Sequence, residues 1–309
     1  MRKRIILSIT VTLISILTAI FAFVPAKQET DPFLCEWMKY VEDDTKITQL
    51  SIPGSHDSGA IHSIADVAGK CQDLSVFEQL NIGVRFFDIR LQLVNDTLKV
   101  VHSFVDQAMP FKYVMQDFSD FITKHSTEML IISIKEDADS KNSNKSFSES
   151  VIEELNNYKD VIDFSSQLPE TLKEARGKIY ILSRFNTEIG INAYYGWQDS
   201  TTFELDNMII QDNYSIDDVE VKKADILNTI ASCTLTPDKL HINFTSCYLN
   251  DSFPPTYAGT TANTINPWFI NYLHLHSEPT GIIVSDFVTD ELCRIICQRN
   301  YLWKSFYTY

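Results

Sequence analysis

Short apolar runs alternate along the chain with longer stretches in which apolar positions recur three and four residues apart. The runs Lys46–Ile52, Val84–Leu93, Leu98–Val101, Met129–Ile134, Lys178–Leu182, Met208–Ile210, Leu240–Phe244 and Gly281–Val284 predict eight strands. Between them, the helical period predicts helices over Val76–Leu80, Val114–Lys124, Ser148–Tyr158, Asp217–Ala231, Asn263–Leu275 and Asp290–Gln298, and some links carry no clear helix. The polar stretch Asp137–Ser150 reads as a loop leading into a helix, too short to separate domains. No internal repeat or interior linker breaks the pattern. The expectation is therefore an α/β fold, a single irregular (β/α)8 barrel of the TIM type over residues 27–309.

The N-terminus departs from this alternation. Met1-Arg-Lys-Arg4 precedes an uncharged apolar run from Ile5 to Val24, and Val24-Pro-Ala26 offers compact residues where a signal peptidase could cut. Residues 1–26 thus read as a secretory signal peptide, and the protein as secreted. The run is also long enough to span a hydrocarbon core, which leaves an uncleaved membrane anchor as the alternative. Both place the bulk of the chain outside the cytosol. There, an even number of cysteines, Cys35, Cys71, Cys233, Cys247, Cys293 and Cys297, predicts disulfides whose pairing the sequence does not reveal. Their spacings do not make a zinc site, because no CxxC pair or nearby histidine completes four ligands. Asn95, Asn144, Asn213, Asn243 and Asn250 head glycosylation sequons, which also arise by chance in an Asn-rich chain.

Composition narrows the function classes. With 44% hydrophobic residues and only 9 Gly and 10 Pro, the chain has the makings of a large core and lies outside the disordered and collagenous classes. Lys and Arg number 26 against 41 Asp and Glu, a formal charge of −15, which opposes binding to nucleic-acid phosphates.

The candidate chemistry is positional. Strand after strand ends in a polar residue: Ile52 leads to His56 and Asp57, Phe86-Phe87 to Asp88 and Arg90, Val100-Val101 to His102, and Ile131–Ile134 to Lys135. Tyr180–Leu182 leads to Arg184, Ile209-Ile210 to Asp212 and Tyr214, and Ile282–Val284 to Asp286. In a parallel barrel all these ends meet at one mouth. Singly, each has a plainer reading: His56 as a turn residue after Pro53-Gly54, Asp57 as a helix cap, Asp88 with Arg90 as a structural ion pair, Lys135 with Glu136 and Asp137 as a solvated charge run. Together they are harder to dismiss, since charge buried at a barrel mouth is costly unless it is paired or used. Two imidazoles, carboxylates and three cations at one mouth suit acid–base transfer of a phosphoryl group. His62, His125 and His241 have no evident partner, and His274 and His276 read as exposed or helix-end residues.

SIPGSHDSG at residues 51–59, GVRFFDIR at 83–90 and VVH at 100–102 resemble the X region of phosphatidylinositol-specific phospholipase C in its small secreted bacterial form. The resemblance continues through ISIK at 132–135, ARGKIYILSR at 175–184, IQDNY at 210–214 and GIIVSDF at 281–287, and spans Met38 to Val288. It implies an exported phosphodiesterase that cleaves phosphatidylinositol to diacylglycerol and inositol 1,2-cyclic phosphate. In that reading His56 is the general base, oriented by Asp286, and His102 the general acid, assisted by Asp57. Arg90 stabilises the phosphorus transition state with Asp88 as its positioning partner, while Lys135, Arg184, Asp212 and Tyr214 recognise inositol. The calcium-dependent relatives place acidic ligands where this chain has a guanidinium and a His–Asp pair, so the resemblance implies no metal and no cofactor. Ser103 stands after the second histidine where the bacterial enzymes usually have glycine. The implied partner is phosphatidylinositol in membranes, together with glycosylphosphatidylinositol anchors, met transiently by a monomer. Because the chain is acidic, membrane adhesion would need apolar rim residues, for which Ile61, Ile64, Val67, Trp197 and Trp268 are candidates. The alternatives are a calcium-dependent glycerophosphodiesterase-like or sphingomyelinase-like barrel, and an inactive module that only binds inositol lipids.

Overall fold

The computed structural model describes residues 31–63, 69–103, 105–250 and 257–306, and Asp31–Tyr309 form one compact unit. The expected signal or anchor at 1–26 lies outside the described residues, as do Ile64 and Val67. No helix among the described residues is long and apolar enough to cross a membrane.

The strands are β1 (Ile52–Ser55), β2 (Phe86–Val94), β3 (Thr97–His102), β4 (Val105–Pro110), β5 (Leu130–Glu136), β6 (Ile162–Asp163), β7 (Ile179–Arg184), β8 (Ile191–Asn192), β9 (Thr202–Leu205), β10 (Met208–Gln211), β11 (Ser215–Ile216), β12 (Leu240–Phe244), β13 (Tyr248–Leu249) and β14 (Ile282–Ser285). Their main sheet runs β6-β7-β5-β2-β1-β14-β12-β10-β9, parallel throughout except for the last pair. Pairing of the first strand with the last, β1 with β14, curls the sheet into a barrel. Among the described residues no ladder joins β7 to β10; the short β8 lines β7, and β9 lines β10. The fold is the irregular (β/α)8 barrel expected.

Alternation along each strand sorts the core into layers. Ile52, Phe86, Ile131, Tyr180, Leu182, Ile210, Ile242, Phe244, Ile282 and Val284 share one buried cluster, the barrel interior. Their neighbours Phe87, Ile89, Ile132, Ile134, Ile179 and Ile181 face the helices α1 (Val76–Asn81), α2 (Phe111–Lys124) and α3 (Phe147–Asn156). Helix α2 forms because Phe111, Val114, Met115, Phe118, Phe121 and Ile122 make one buried stripe, and Phe118 meets Phe87 edge-on at 4.7 Å. Each such side chain contributes about 1.5–3 kcal/mol by burial. On the other flank Ile283 packs under α4 (Val219–Leu235), α5 (Ala258–Leu275) and α6 (Asp290–Phe306).

Three expectations are corrected. Lys46–Ile52 is not a strand: Ile47–Gln49 is a 3-10 turn, and β1 begins only at Ile52. Ile47 and Leu50, three apart and both buried, fit the three-residue period of that turn. Leu98–Val101 is a strand, but antiparallel to β2, because Asn95 and Asp96 both take left-handed φ (+52° and +55°) and close a two-residue hairpin. All six cysteines are free and buried, not bridged. Cys35 and Cys293 pack as small apolar residues in one cluster, Cys297 in a second and Cys247 in a third, so that Cys293 and Cys297, one turn apart on α6, face different ones. The Asn243 sequon is equally internal, its buried amide donating to the Ile226 carbonyl.

Candidate active site

The interior parity that puts Phe86 inside also puts Asp88 and Arg90 inside, one and two steps further along β2. Register then sets Arg90 beside Lys135 and Lys135 beside Arg184, three cations on one level across β2, β5 and β7. Such a row is stable only if carboxylates answer it. Asp88, buried one step below, accepts from Arg90 Nε at 3.1 Å, from Arg184 Nη1 at 3.3 Å and from the Asp57 amide at 3.2 Å. Burial alone would raise its pKa, but the two guanidinium groups outweigh that and hold it far below the usual carboxylate range. Asp212 lies 3.8 Å from Arg184 Nη2 and accepts the indole N–H of Trp197 at 2.9 Å.

His56 follows β1 directly. Its Nδ1 pairs with Asp286 Oδ1 at 2.7 Å, and Arg90 Nη2 lies 2.8 Å from its Nε2. With Arg90 always a donor, Nε2 accepts, so Nδ1 carries the proton to Asp286. Burial works against the imidazolium, yet Asp286, opposed by Arg90, raises the His56 pKa above its ordinary value. His102 ends β3, and its Nδ1 is 2.5 Å from Asp57 Oδ2. Arg90 Nε is 3.8 Å from that same oxygen, so one guanidinium touches both His–Asp pairs. Gly59 lets the turn carrying His56 and Asp57 press against β3: a Cβ there would sit 2.5 Å from Val100 Cγ1.

The structure thus unites His56, Asp57, Asp88, Arg90, His102, Lys135, Arg184, Asp212 and Asp286 through this chain of contacts. Tyr214 is less engaged: half-buried, it donates its hydroxyl to Asp199, and its ring neighbours Tyr248 at 5.8 Å. Trp197, expected at the membrane rim, instead lays its ring 3.7 Å from the Arg184 guanidinium carbon, and that stacking joins it to the site. Trp268 is half-buried against Phe269, Tyr272 and Lys223.

Asp137, Gln72, Cys71 and Lys222 contribute here although sequence reasoning gave them no place at the site. Asp137, which reads as part of a solvated charge run, accepts from Lys135 Nζ at 2.8 Å and from the Ser103 amide at 2.7 Å, and lies 3.7 Å from Arg90. Though burial opposes it, these cations pull its pKa down to about 2. Ser103 takes a left-handed φ of +52°, the backbone shape for which glycine is the freer choice. Gln72 donates to the carbonyls of His56 and Ser285, tying β1 to β14, and Cys71 Sγ sits 3.7 Å from His102 Nδ1. Lys222 of α4, fully buried, donates to Gln211 Oε1 and to the Asn213 carbonyl, fixing the end of β10; burial draws its pKa down to about 8. The histidines away from the mouth find structural partners: His125 with Glu36, His241 with Thr236.

A cation already occupies the point where Asp57, Asp88 and Asp137 converge, namely the Arg90 guanidinium. Two imidazoles and a fixed guanidinium brought together in this way are groups suited to phosphodiester cleavage.

Comparison with known proteins points the same way. The model of the phosphatidylinositol-specific phospholipase C X domain matches residues 46–185. The 1-phosphatidylinositol phosphodiesterase of Listeria monocytogenes is 29% identical over 279 residues, covering 86% of this chain and 84% of the relative. The protein of the same name from Staphylococcus aureus strain Newman is 30% identical over 277 residues, covering 81% and 87%. Among solved structures, a Staphylococcus aureus phosphatidylinositol-specific phospholipase C superposes with a TM-score of 0.78 at 26% identity, covering 86% of this chain and 97% of that one. The Listeria monocytogenes enzyme gives 0.72 at 25% identity, covering 86% and 98%. The chain belongs to the phosphatidylinositol-specific phospholipase C X-domain family.

Proposed function

We propose that this protein is a phosphatidylinositol-specific phospholipase C that cleaves phosphatidylinositol to diacylglycerol and inositol 1,2-cyclic phosphate. The observation that carries the reading is Arg90, bonded to His56 Nε2 at 2.8 Å and 3.8 Å from the carboxylate that holds His102. Phosphate bound at Arg90 would draw the guanidinium onto its non-bridging oxygens in a bidentate fork, freeing the His56 Nε2 lone pair. His56 then takes the proton of the inositol 2-hydroxyl as that oxygen attacks phosphorus. Asp286 stabilises the imidazolium that forms. On the far side, His102 gives its Nε2 proton to the departing glycerol oxygen, with Nδ1 held by Asp57. Because the nucleophile is part of the substrate, the attack gains an effective molarity of order 10⁵ M or more. The protein supplies proton transfer and neutralisation of charge.

In the same reading Arg184, Asp212 and Lys135 bond the inositol hydroxyls, and Tyr214 offers a ring at the edge. The inositol phosphodiester of glycosylphosphatidylinositol anchors presents the same reacting atoms. The N-terminal segment supports export, and a monomer suffices because every group named comes from one chain. Incubation with phosphatidylinositol vesicles in EDTA, followed by phosphorus NMR of the soluble fraction, tests the reaction. The expected product is the five-membered cyclic phosphate; an acyclic monoester from the first turnover, or arrest by chelator, would refute the mechanism.

A further inference from the structure

Cys71 lies between the two His–Asp pairs, and neither pair uses it. Its side chain is 1% exposed. Its backbone is pinned on both sides, the amide donating to the Ala60 carbonyl at 2.8 Å and the carbonyl accepting from the Phe287 amide at 2.8 Å. The thiol is therefore held between the turn after β1 and the turn after β14. Donor atoms of Cys71, His102 and Asp57 lie within 4.8 Å of one another, as do those of Cys71, His56 and Asp286. The first set has a further mark: Asp57 is fully buried, yet among the described residues its Oδ1 has no hydrogen-bond partner. A buried acceptor left unpaired is destabilising, and a cation would relieve it. Arg90 lies against both sets but more tightly on the second, 2.8 Å from His56 Nε2 against 3.8 Å from Asp57 Oδ2, and His56 is less open to solvent than His102 (14% against 28%).

We propose that Cys71 Sγ, His102 Nδ1 and the Asp57 carboxylate form an inhibitory zinc site superimposed on the acid half of the active site. Sulfur, imidazole nitrogen and carboxylate oxygen are the three donor types that Zn²⁺ takes, and three protein ligands leave its fourth position to water or to a phosphate oxygen. Calcium and magnesium, hard ions that prefer oxygen cages, are poor matches for a thiolate. The donors come from three separate segments, so no CxxC-type spacing announces them. On binding, the Cys71 S–H bond breaks, its proton leaves to solvent and a Zn–S bond forms, with no change of oxidation state. His102 shifts its proton to Nε2 so that the Nδ1 lone pair faces the metal. The ring can then no longer become the imidazolium that protonates the leaving group, and Asp57 is neutralised by the ion. The inhibition rests on His102 being the acid; the binding does not.

The test titrates the purified, chelator-stripped full chain with Co²⁺ as an optical probe, then with Zn²⁺, and measures cleavage in parallel. Wild type should bind one equivalent with a near-ultraviolet thiolate-to-cobalt charge-transfer band that Zn²⁺ erases, and turnover should fall with the same occupancy. Cys71→Ser should lose the band and require about tenfold more Zn²⁺, or beyond, for half-inhibition relative to its own metal-free rate. His102→Ala, which keeps the thiol, should weaken cobalt binding by a similar factor. Calcium and magnesium should leave turnover intact. No band with active wild-type enzyme, or unaltered zinc inhibition in Cys71→Ser, overturns the zinc site alone. A full band with undiminished turnover overturns the inhibition together with the assignment of His102 as acid.

Discussion

The two histidines of the mouth are each paired with a buried aspartate, but they are mounted differently. His56 stands at the end of a parallel strand inside the closed part of the sheet, and its aspartate ends the adjacent strand β14. Its ring is fixed at both nitrogens, by Asp286 and Arg90, and its backbone carbonyl is held by Gln72. His102 ends β3, an antiparallel strand outside the barrel proper, and among the described residues is held at one nitrogen only, while Asp137 fixes the following Ser103 amide. In the proposed reaction the base, His56, is built into the frame of the sheet, where the attacking hydroxyl would be met in one orientation. The proposed acid, His102, rides on a hairpin at the more open side, where the bulky lipid alcohol would depart. Rigidity is spent where geometry decides the reaction.

That contrast can be broken most forcefully by removing each ring. His56→Ala and His102→Ala should each lower turnover by about 10²- to 10⁴-fold with the fold intact. With a substrate whose leaving group needs no proton, such as a nitrophenyl ester of inositol phosphate, His102→Ala should regain most of its loss and His56→Ala should not. Equal recovery in both would erase the division of roles. A smaller effect concerns the orienting carboxylate. Asp286→Asn removes one charge-assisted hydrogen bond and should cost about 10- to 100-fold in kcat with little change in KM. His56 acts as a base only when neutral, and its pKa is raised by Asp286, so activity should fall as pH drops through a value above 6.5. In Asp286→Asn that acid limb should move to lower pH; a limb that stays put would separate it from His56. Least affected in turnover is Asp137→Asn, which concerns the mounting of the acid. Asp137 has a pKa drawn down to about 2 in the fold against about 3.9 unfolded, so its stabilisation is complete above about pH 5 and is lost as pH falls towards 2. Urea unfolding should show Asp137→Asn about 2 kcal/mol less stable than wild type at pH 6, with the gap nearly closed at pH 2.

The interior positions were readable from the chain because strand parity is strict: once Phe86 and Val284 face inward, so do Asp88, Arg90 and Asp286. What escaped was of three physical kinds. Apolar runs do not encode strand direction, so β3 read as a barrel strand although Asn95-Asp96 turns it back on β2. Polar strands have weak periodicity, and β4, with Asp106 and Gln107 in it, went unseen. Residues that act through tertiary contacts alone carry no local signature; Gln72 and Lys222 lie in no motif, and Asp137 looks solvated beside Glu136. The disulfide expectation rested on an even count, which says nothing about whether six thiols can reach one another.

The stacking of Trp197 on Arg184, with its indole N–H on Asp212, has an optical consequence. A chromophore whose emission follows its electrostatic surroundings is wired to two groups assigned to the sugar, so headgroup arrival perturbs both its positive and its negative neighbour at once. If Arg184 and Asp212 hold the inositol as proposed, the Trp197 share of the fluorescence should change as the headgroup binds, without label or turnover.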